Sequence, residues 1–213
     1  MAAIKLTRDI RLLLVFSAMR NITDLFLGTF LISFIMHISP SQIVSVGLYR
    51  LFEYVALMIG YLAIANMCKR YSKTVVFALN EVPKIALLAI LVLLGDGAVE
   101  YIIPLGMLYG LGEAMYHLPM STMVSEKTNE ESLKLYMGSK TAINYAVRLV
   151  IPVVLGFFID TGSFVQVANV LLILSVLELV LCAFLTPSRH RCKKPMDLIG
   201  FTKCMFRFPV IRP

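Results

Sequence analysis

AINYAVRLVIPVVLGFFID, residues Ala142–Asp160, is long and apolar enough to cross a bilayer, yet Arg148 stands near its middle. A charge at that depth costs at least ~2.5–3.5 kcal/mol on insertion scales, so an ionisable residue inside such a run is a functional candidate. Around this stretch the chain repeats the same design. Five further apolar runs follow the length rule for a spanning helix, about 20 residues each. Every one of them carries a polar or charged residue.

The totals agree. Of 213 residues, 59% are hydrophobic and 15% charged, and mean hydropathy is +0.82. Soluble domains average roughly 45–50% apolar and about 25% charged. Net charge is +7, but the basic residues cluster briefly between apolar runs. That placement suits a membrane surface and argues against nucleic-acid binding. An N-terminal signal peptide is excluded, because Arg20 and Asp24 interrupt the candidate apolar region and apolar sequence continues to Ile38. The sequence predicts an uncleaved first span instead.

The expected fold is all-α: a polytopic membrane protein of six transmembrane helices. They are placed at residues 12–38, 42–67, 74–94, 99–124, 138–160 and 164–185, with the polar stretch 125–134 between the fourth and fifth as a loop. Residues 1–11 read as a cytoplasmic tail, 12–187 as the helical domain, and 188–213 as a basic tail or central linker. Within that tail, residues 196–213 could form an interfacial amphipathic helix. Lys and Arg fall before helix 1, between helices 2 and 3, between 4 and 5, and after helix 6. The other three turns carry none. Both termini are therefore expected on the cytoplasmic side, in an integral, multi-pass protein of the cell (inner) membrane.

The expected architecture also contains two inverted three-helix repeats. Helix 1 carries Ser17, Arg20, Asn21, Asp24 and Gly28, and helix 4 carries Gly106, Tyr109, Gly110, Glu113 and His117 at the same offsets. Each set spans an arc of about 100° on its helix. Asp24 and Glu113 hold equivalent places in the two stripes.

The residues LGEAMYHLPMSTMVSE (Leu111–Glu126), the polar loop after them and NYAVRLVIPVVLGFFID (Asn144–Asp160) together resemble the N-terminal half of a major facilitator superfamily transporter. Gly60 with Leu62-Ala63, then Lys69-Arg70, falls where that family has a Gly-x-x-x-Asp-Arg/Lys loop. Ile64 stands near the position of its acidic residue, and Gly106 or Leu108 near that of the helix 4 arginine of proton-driven drug exporters. Both departures argue against drug export of that kind. The resemblance implies secondary-active transport of a small solute by alternating access, with a cavity lined by helices 1 and 4. It also implies a second six-helix half, from a homodimer or a separate chain. The competing reading is a non-transporting six-helix protein or a fragment.

The candidate residues for substrate binding or proton coupling are Asp24, Glu113, His117, Arg148, Arg20 and Asn144. Arg20 and Asp24 sit at i,i+4, a self-neutralising spacing shared by Arg50 with Glu53 and Glu81 with Lys84 at i,i+3. Glu113 and His117 lack such a local cation, so either could exchange the proton that a coupled carrier needs. The alternative for Glu113 is a brace to Arg148. Asn144, Arg148 and Pro152 share a side of helix 5, and Pro152 withholds a backbone N–H near the charge. Glu178 on helix 6 is expected to be structural. Gly106, Gly110, Gly112 and Gly156 are expected at close helix contacts. No metal or cofactor is expected, since the four cysteines and three histidines form no ligand motif. No catalytic ordering of residues supports an enzyme. The expected partners are the lipid bilayer, a small solute and a coupling proton or ion.

Overall fold

In the computed structural model, which describes residues 7–186, helices follow one another almost without a break and no strand occurs among the described residues. The elements are α1 (Arg8–Leu25), α2 (Leu31–Ile38), α3 (Gln42–Arg70), α4 (Lys73–Ala78), α5 (Glu81–Leu94), α6 (Ile102–Lys127), α7 (Glu130–Thr161) and α8 (Phe164–Cys182). Five stretches are long and apolar enough to cross a membrane: Arg8–Ile38, Gln42–Arg70, Lys73–Lys127, Glu130–Asp160 and Phe164–Cys182. Large apolar side chains such as Ile43, Leu93, Leu149, Val153, Phe157 and Val170 face outward. Water would not tolerate that much exposed apolar surface, whereas lipid does. The chain fits a membrane protein.

The third stretch folds back on itself. A 3-10 segment, Gly95–Tyr101, separates α5 from α6, and Gly95 turns there with φ 52°, a backbone angle that favours glycine. Lys73 then pairs with Glu126, Thr74 meets Met123, and a Cβ on Gly112 would touch Pro83. Early residues of the stretch thus meet late ones, as an antiparallel hairpin requires.

α1 starts earlier than 12, because the Thr7 side chain accepts a hydrogen bond from the Ile10 N–H and caps it. The first predicted helix, 12–38, is interrupted by a π segment, Phe26–Phe30, between α1 and α2, which the sequence reading missed. The third predicted helix is broken at Leu79–Asn80. Pro83 has no N–H for the Leu79 carbonyl, which takes the Val82 N–H at 3.2 Å in a tighter turn. The predicted loop 125–134 is mostly helix: α6 runs to Lys127 and α7 begins at Glu130. Asn129 and Ser132 form a reciprocal capping box at that start, with the Ser132 N–H 2.9 Å from Asn129 Oδ1. Asn129→Ala is expected to lower stability by about 1 kcal/mol. An unchanged thermal midpoint in detergent would rule that cap out as a stabilising contact.

Two larger apolar layers and a smaller cluster of Ile64, Cys68, Val76 and Ala114 make up the described interior. One joins Phe26, Leu27, Leu31, Ile35, Leu87, Leu91 and Leu171. The other joins Ile10, Leu13, Phe16, Phe77, Tyr116, Met120 and Cys182. On α1, α5, α6 and α8 alike, the residues between these layers are polar: Arg20 and Asp24, Glu81 and Lys84, Glu113, Glu178. A charged layer therefore lies mid-height in the bundle. The principal helix pairs are α3 with α6, α5 with α8, and α1 with α7.

At one end of the bundle, Lys127 Nζ lies 2.5 Å from Asp9 Oδ2 and 2.9 Å from Thr186 Oγ1. Lys73 and Glu126 pair at the same end. The start of α1, the α3–α4 turn, the α6–α7 junction and Thr186 therefore share one side. The expectations for residues 188–213, including the amphipathic helix, lie outside the described residues.

Small residues set the tightest contact. A Cβ on Gly106 would sit 2.5 Å from the Tyr49 carbonyl oxygen, and one on Gly110 2.1 Å from that of Glu53. On α3, a Cβ at Gly60 would lie 2.8 Å from that of Ala114. Gly60 is therefore a mid-helix packing residue and not part of a loop motif, because α3 continues to Arg70. Gly156, expected at a helix contact, has nothing among the described residues within 4 Å of its Cβ position. It lies on α7, the most peripheral of the long helices, with 6% of its apolar window buried.

Candidate functional site

α1, α3, α6 and α7 line a half-open polar cleft of about 610 Å³. Ser17, Asn21 and Asp24 of α1 with Gly28 of the π segment supply one wall, and Tyr109, Glu113, Tyr116 and His117 the α6 wall. Arg50 enters from α3, while Lys140, Asn144 and Arg148 come from α7. All but one of the six candidate residues line it. Arg20 is the exception.

Arg20 is only 2% exposed and lies behind the cleft wall. Its Nη2 donates to Glu113 Oε1 at 2.5 Å and its Nη1 to Asn80 Oδ1 at 2.5 Å. Its Nε lies 3.2 Å from Asp24 Oδ2, and Glu81 Oε1 is 3.9 Å from Nη1. The Tyr116 ring covers it, with Cζ 4.1 Å from the ring centroid. A planar guanidinium with five donors can serve several acceptors at once; an ammonium could not at these positions. The break at Leu79–Asn80 brings Asn80 into this set. Its amide nitrogen donates to the Phe77 carbonyl while its oxygen accepts from Arg20.

This corrects the predicted brace. Glu113 pairs with Arg20 and, through Oε2, with His117 Nε2 at 2.9 Å, not with Arg148. Helix spacing placed Arg148 in a shared cleft but carried no information about which helix faces Glu113. The two stripes also divide. Gly106 and Gly110 turn to the α3 backbone, so only Tyr109, Glu113 and His117 of the α6 set reach the cleft. Sequence reading grouped Asn144 and Arg148 with Pro152, whereas the cleft takes Lys140, Asn144 and Arg148, one turn apart each. Lys140 was the missed member. The same spacing of four would have found it.

The local pairs form as expected: Arg50 Nη1 is 2.7 Å from Glu53 Oε2, and Lys84 Nζ is 2.6 Å from Glu81 Oε2. Arg50 also donates to the Gly28 carbonyl at 2.9 Å, inside the π segment. Single-turn π segments often mark functional sites, because they re-aim backbone groups. Lys84 additionally binds Glu178 of α8, a partner the sequence did not identify. Two carboxylates of the cleft wall, Asp24 and Glu113, and two behind it, Glu81 and Glu178, thus share two cations, Arg20 and Lys84. Asn21 donates to Asn144 across the cleft, linking α1 to α7.

No cluster of three His, Cys, Asp or Glu among the described residues could hold a metal ion. Compared with known protein families and with curated proteins, the chain gives no match.

Proposed function

We propose that this chain is a six-crossing half of a secondary-active carrier of the major facilitator type, moving a small solute across the cell membrane by alternating access. The observation that carries the reading is the polar cleft. A charged, solute-sized cavity at mid-height in an otherwise lipid-compatible bundle is what a carrier needs and an inert bundle has no use for. Cavities for small ligands usually measure about 300–1,000 Å³.

The pairing of helices supports two inverted three-helix repeats. Exchanging α1 with α6, α3 with α7, and α5 with α8 turns the α1–α7 contact into the α6–α3 contact and returns α5–α8 to itself. The π segment and the α4–α5 break then interrupt the first and third of six crossings, and the turn Gly95–Tyr101 joins the third to the fourth. With Arg8, Arg11, Lys69, Arg70, Lys73 and Lys127 gathered at one end, that end is cytoplasmic by the positive-inside rule. A second six-helix half, from another copy or another chain, supplies the opposite wall of the cleft.

The test is counterflow into proteoliposomes preloaded with unlabelled solute, using labelled organic acids, amino acids, sugars and nucleosides in turn. Saturable, trans-stimulated entry of one class is expected. Glu113→Gln and Arg148→Ala should each abolish it while leaving membrane insertion intact. Full uptake in both variants would refute the site, and absence of saturable entry for every class would refute the carrier.

A further inference from the structure

The charges on the cleft wall are not equally engaged. Asp24 and Glu113 are both held from behind by Arg20, and Arg50 is occupied by Glu53 and the Gly28 carbonyl. Lys140 and Arg148 differ. Among the described residues neither has a carboxylate within ion-pair distance, and the aromatic neighbour of Lys140, Tyr116, lies 6.0 Å from its Nζ. Both stand one turn either side of Asn144 on the same flank of α7. Lys140 is half-buried and Arg148 exposed, and two cations two turns apart on one cleft wall, with no counter-charge, set up a positive potential that attracts an anion. On the opposite wall, the Asp24 side chain is a quarter exposed and lines the same cleft. A carboxylate accepts at several lone pairs, so beside its contact with Arg20 it can take a donor group of the same solute.

We infer that the cleft binds a small carboxylate that also bears a hydrogen-bond donor, a hydroxyl or ammonium group, with the carboxylate on Lys140 and Arg148 and the donor on Asp24. The inference rests on the carrier reading for its physiological meaning, since it names the class of cargo. Arg148 supplies the planar fork that matches a carboxylate, and Lys140 a second point charge. Asn144, already tied to Asn21, spaces the two cations and joins the basic wall to the acidic one.

Binding is read by thermal unfolding of the purified full chain in phosphatidylcholine nanodiscs at constant ionic strength. The probes are malate, glycerate and alanine, against succinate, propionate, lactamide and inorganic phosphate. Malate, glycerate or alanine should raise the unfolding midpoint, with lactamide inert and the analogue lacking the donor weaker. Lys140→Gln and Arg148→Gln should each weaken binding by about tenfold or more, as loss of one charge-assisted hydrogen bond predicts. Asp24→Asn should erase the preference for malate over succinate. Among the described residues neither cation is part of an ion pair, so the unliganded midpoints of the two Gln variants should stay near that of the parent, and Arg148→Lys should retain partial binding. A response to lactamide equal to that of the acids, a response to phosphate alone, no response to any acid, or an undiminished response in the Lys140→Gln/Arg148→Gln double variant would overturn the assignment. Counterflow with the acid that binds separates the two readings. Binding without uptake would count against the carrier alone, and saturable uptake confined to uncharged solutes against the anion site alone.

Discussion

Arg20→Gln is expected to destabilise the bundle by about 3–5 kcal/mol, the cost of leaving buried partners of an ion pair uncompensated. Asp24, Glu81 and Glu113 all lose their shared cation, and Asn80 loses the donor at 2.5 Å. Glutamine can replace one hydrogen bond but no charge. Such a loss is a large share of the stability of most domains, which is about 5–15 kcal/mol. The measurable result is a polydisperse elution profile after detergent extraction and a thermal midpoint many degrees lower. Adding Glu113→Gln should recover part of the loss, because it removes one of the stranded carboxylates. Arg20→Lys should fall between Arg20→Gln and the parent, since a compact ammonium with three donors cannot reach four partners set around a planar fork. If Arg20→Gln elutes and melts like the parent, Arg20 is not the centre of the charged layer.

Gly110→Ala is expected to be nearly as damaging for a different reason. Its Cβ would lie 2.1 Å from the Glu53 carbonyl oxygen, 2.9 Å from the Glu53 carbonyl carbon and 3.1 Å from the Leu57 nitrogen. These are backbone atoms, so no rotamer change relieves the clash. α3 and α6 must move apart along their whole seam, which also holds Gly106 and the Gly60–Ala114 contact. Overpacking typically costs about 1–3 kcal/mol, and rigid obstacles place this case at the upper end or beyond. Gly47→Ala provides the control, because among the described residues nothing lies within 4 Å of its Cβ position on α3. There alanine should be neutral or stabilising, by up to about 1 kcal/mol of helix propensity. Equal thermal midpoints for the two alanine variants would refute the close-packed seam.

The sequence revealed what depends on neighbours along one helix and hid what depends on neighbours across two. Arg20 with Asp24, Arg50 with Glu53, and Glu81 with Lys84 were all visible as spacings, and all three pairs form. The second partners, Glu113 for Arg20 and Glu178 for Lys84, lie 93 and 94 residues away and left no local signal. The same gap explains the misplaced Glu113–Arg148 brace. Two local features were legible and went unread. Pro83 after Asn80 marks a helix break inside an apolar run that otherwise looks continuous, and Asn129-x-x-Ser132 is a capping box inside a stretch polar enough to suggest a loop. The π segment offers only Gly28 as a cue. Glycine alone does not distinguish a π turn from a packing site, and here it leaves room for the Tyr109 hydroxyl, 3.7 Å from its Cβ position.

The doubling of partners on Arg20 and Lys84 bears on how the chain enters the membrane. Each cation has one carboxylate within four residues and another on a distant helix. While a helix is inserting alone, the nearby carboxylate travels with the cation as a neutral package, which lowers the toll of passing into lipid. Only when α6 and α8 have been made can Glu113 and Glu178 be captured, and they then select one arrangement of helices among the many that greasy surfaces would permit. The near partner serves entry and the far partner serves assembly. One arginine and one lysine thus encode, in order, the two stages by which a polytopic chain is born.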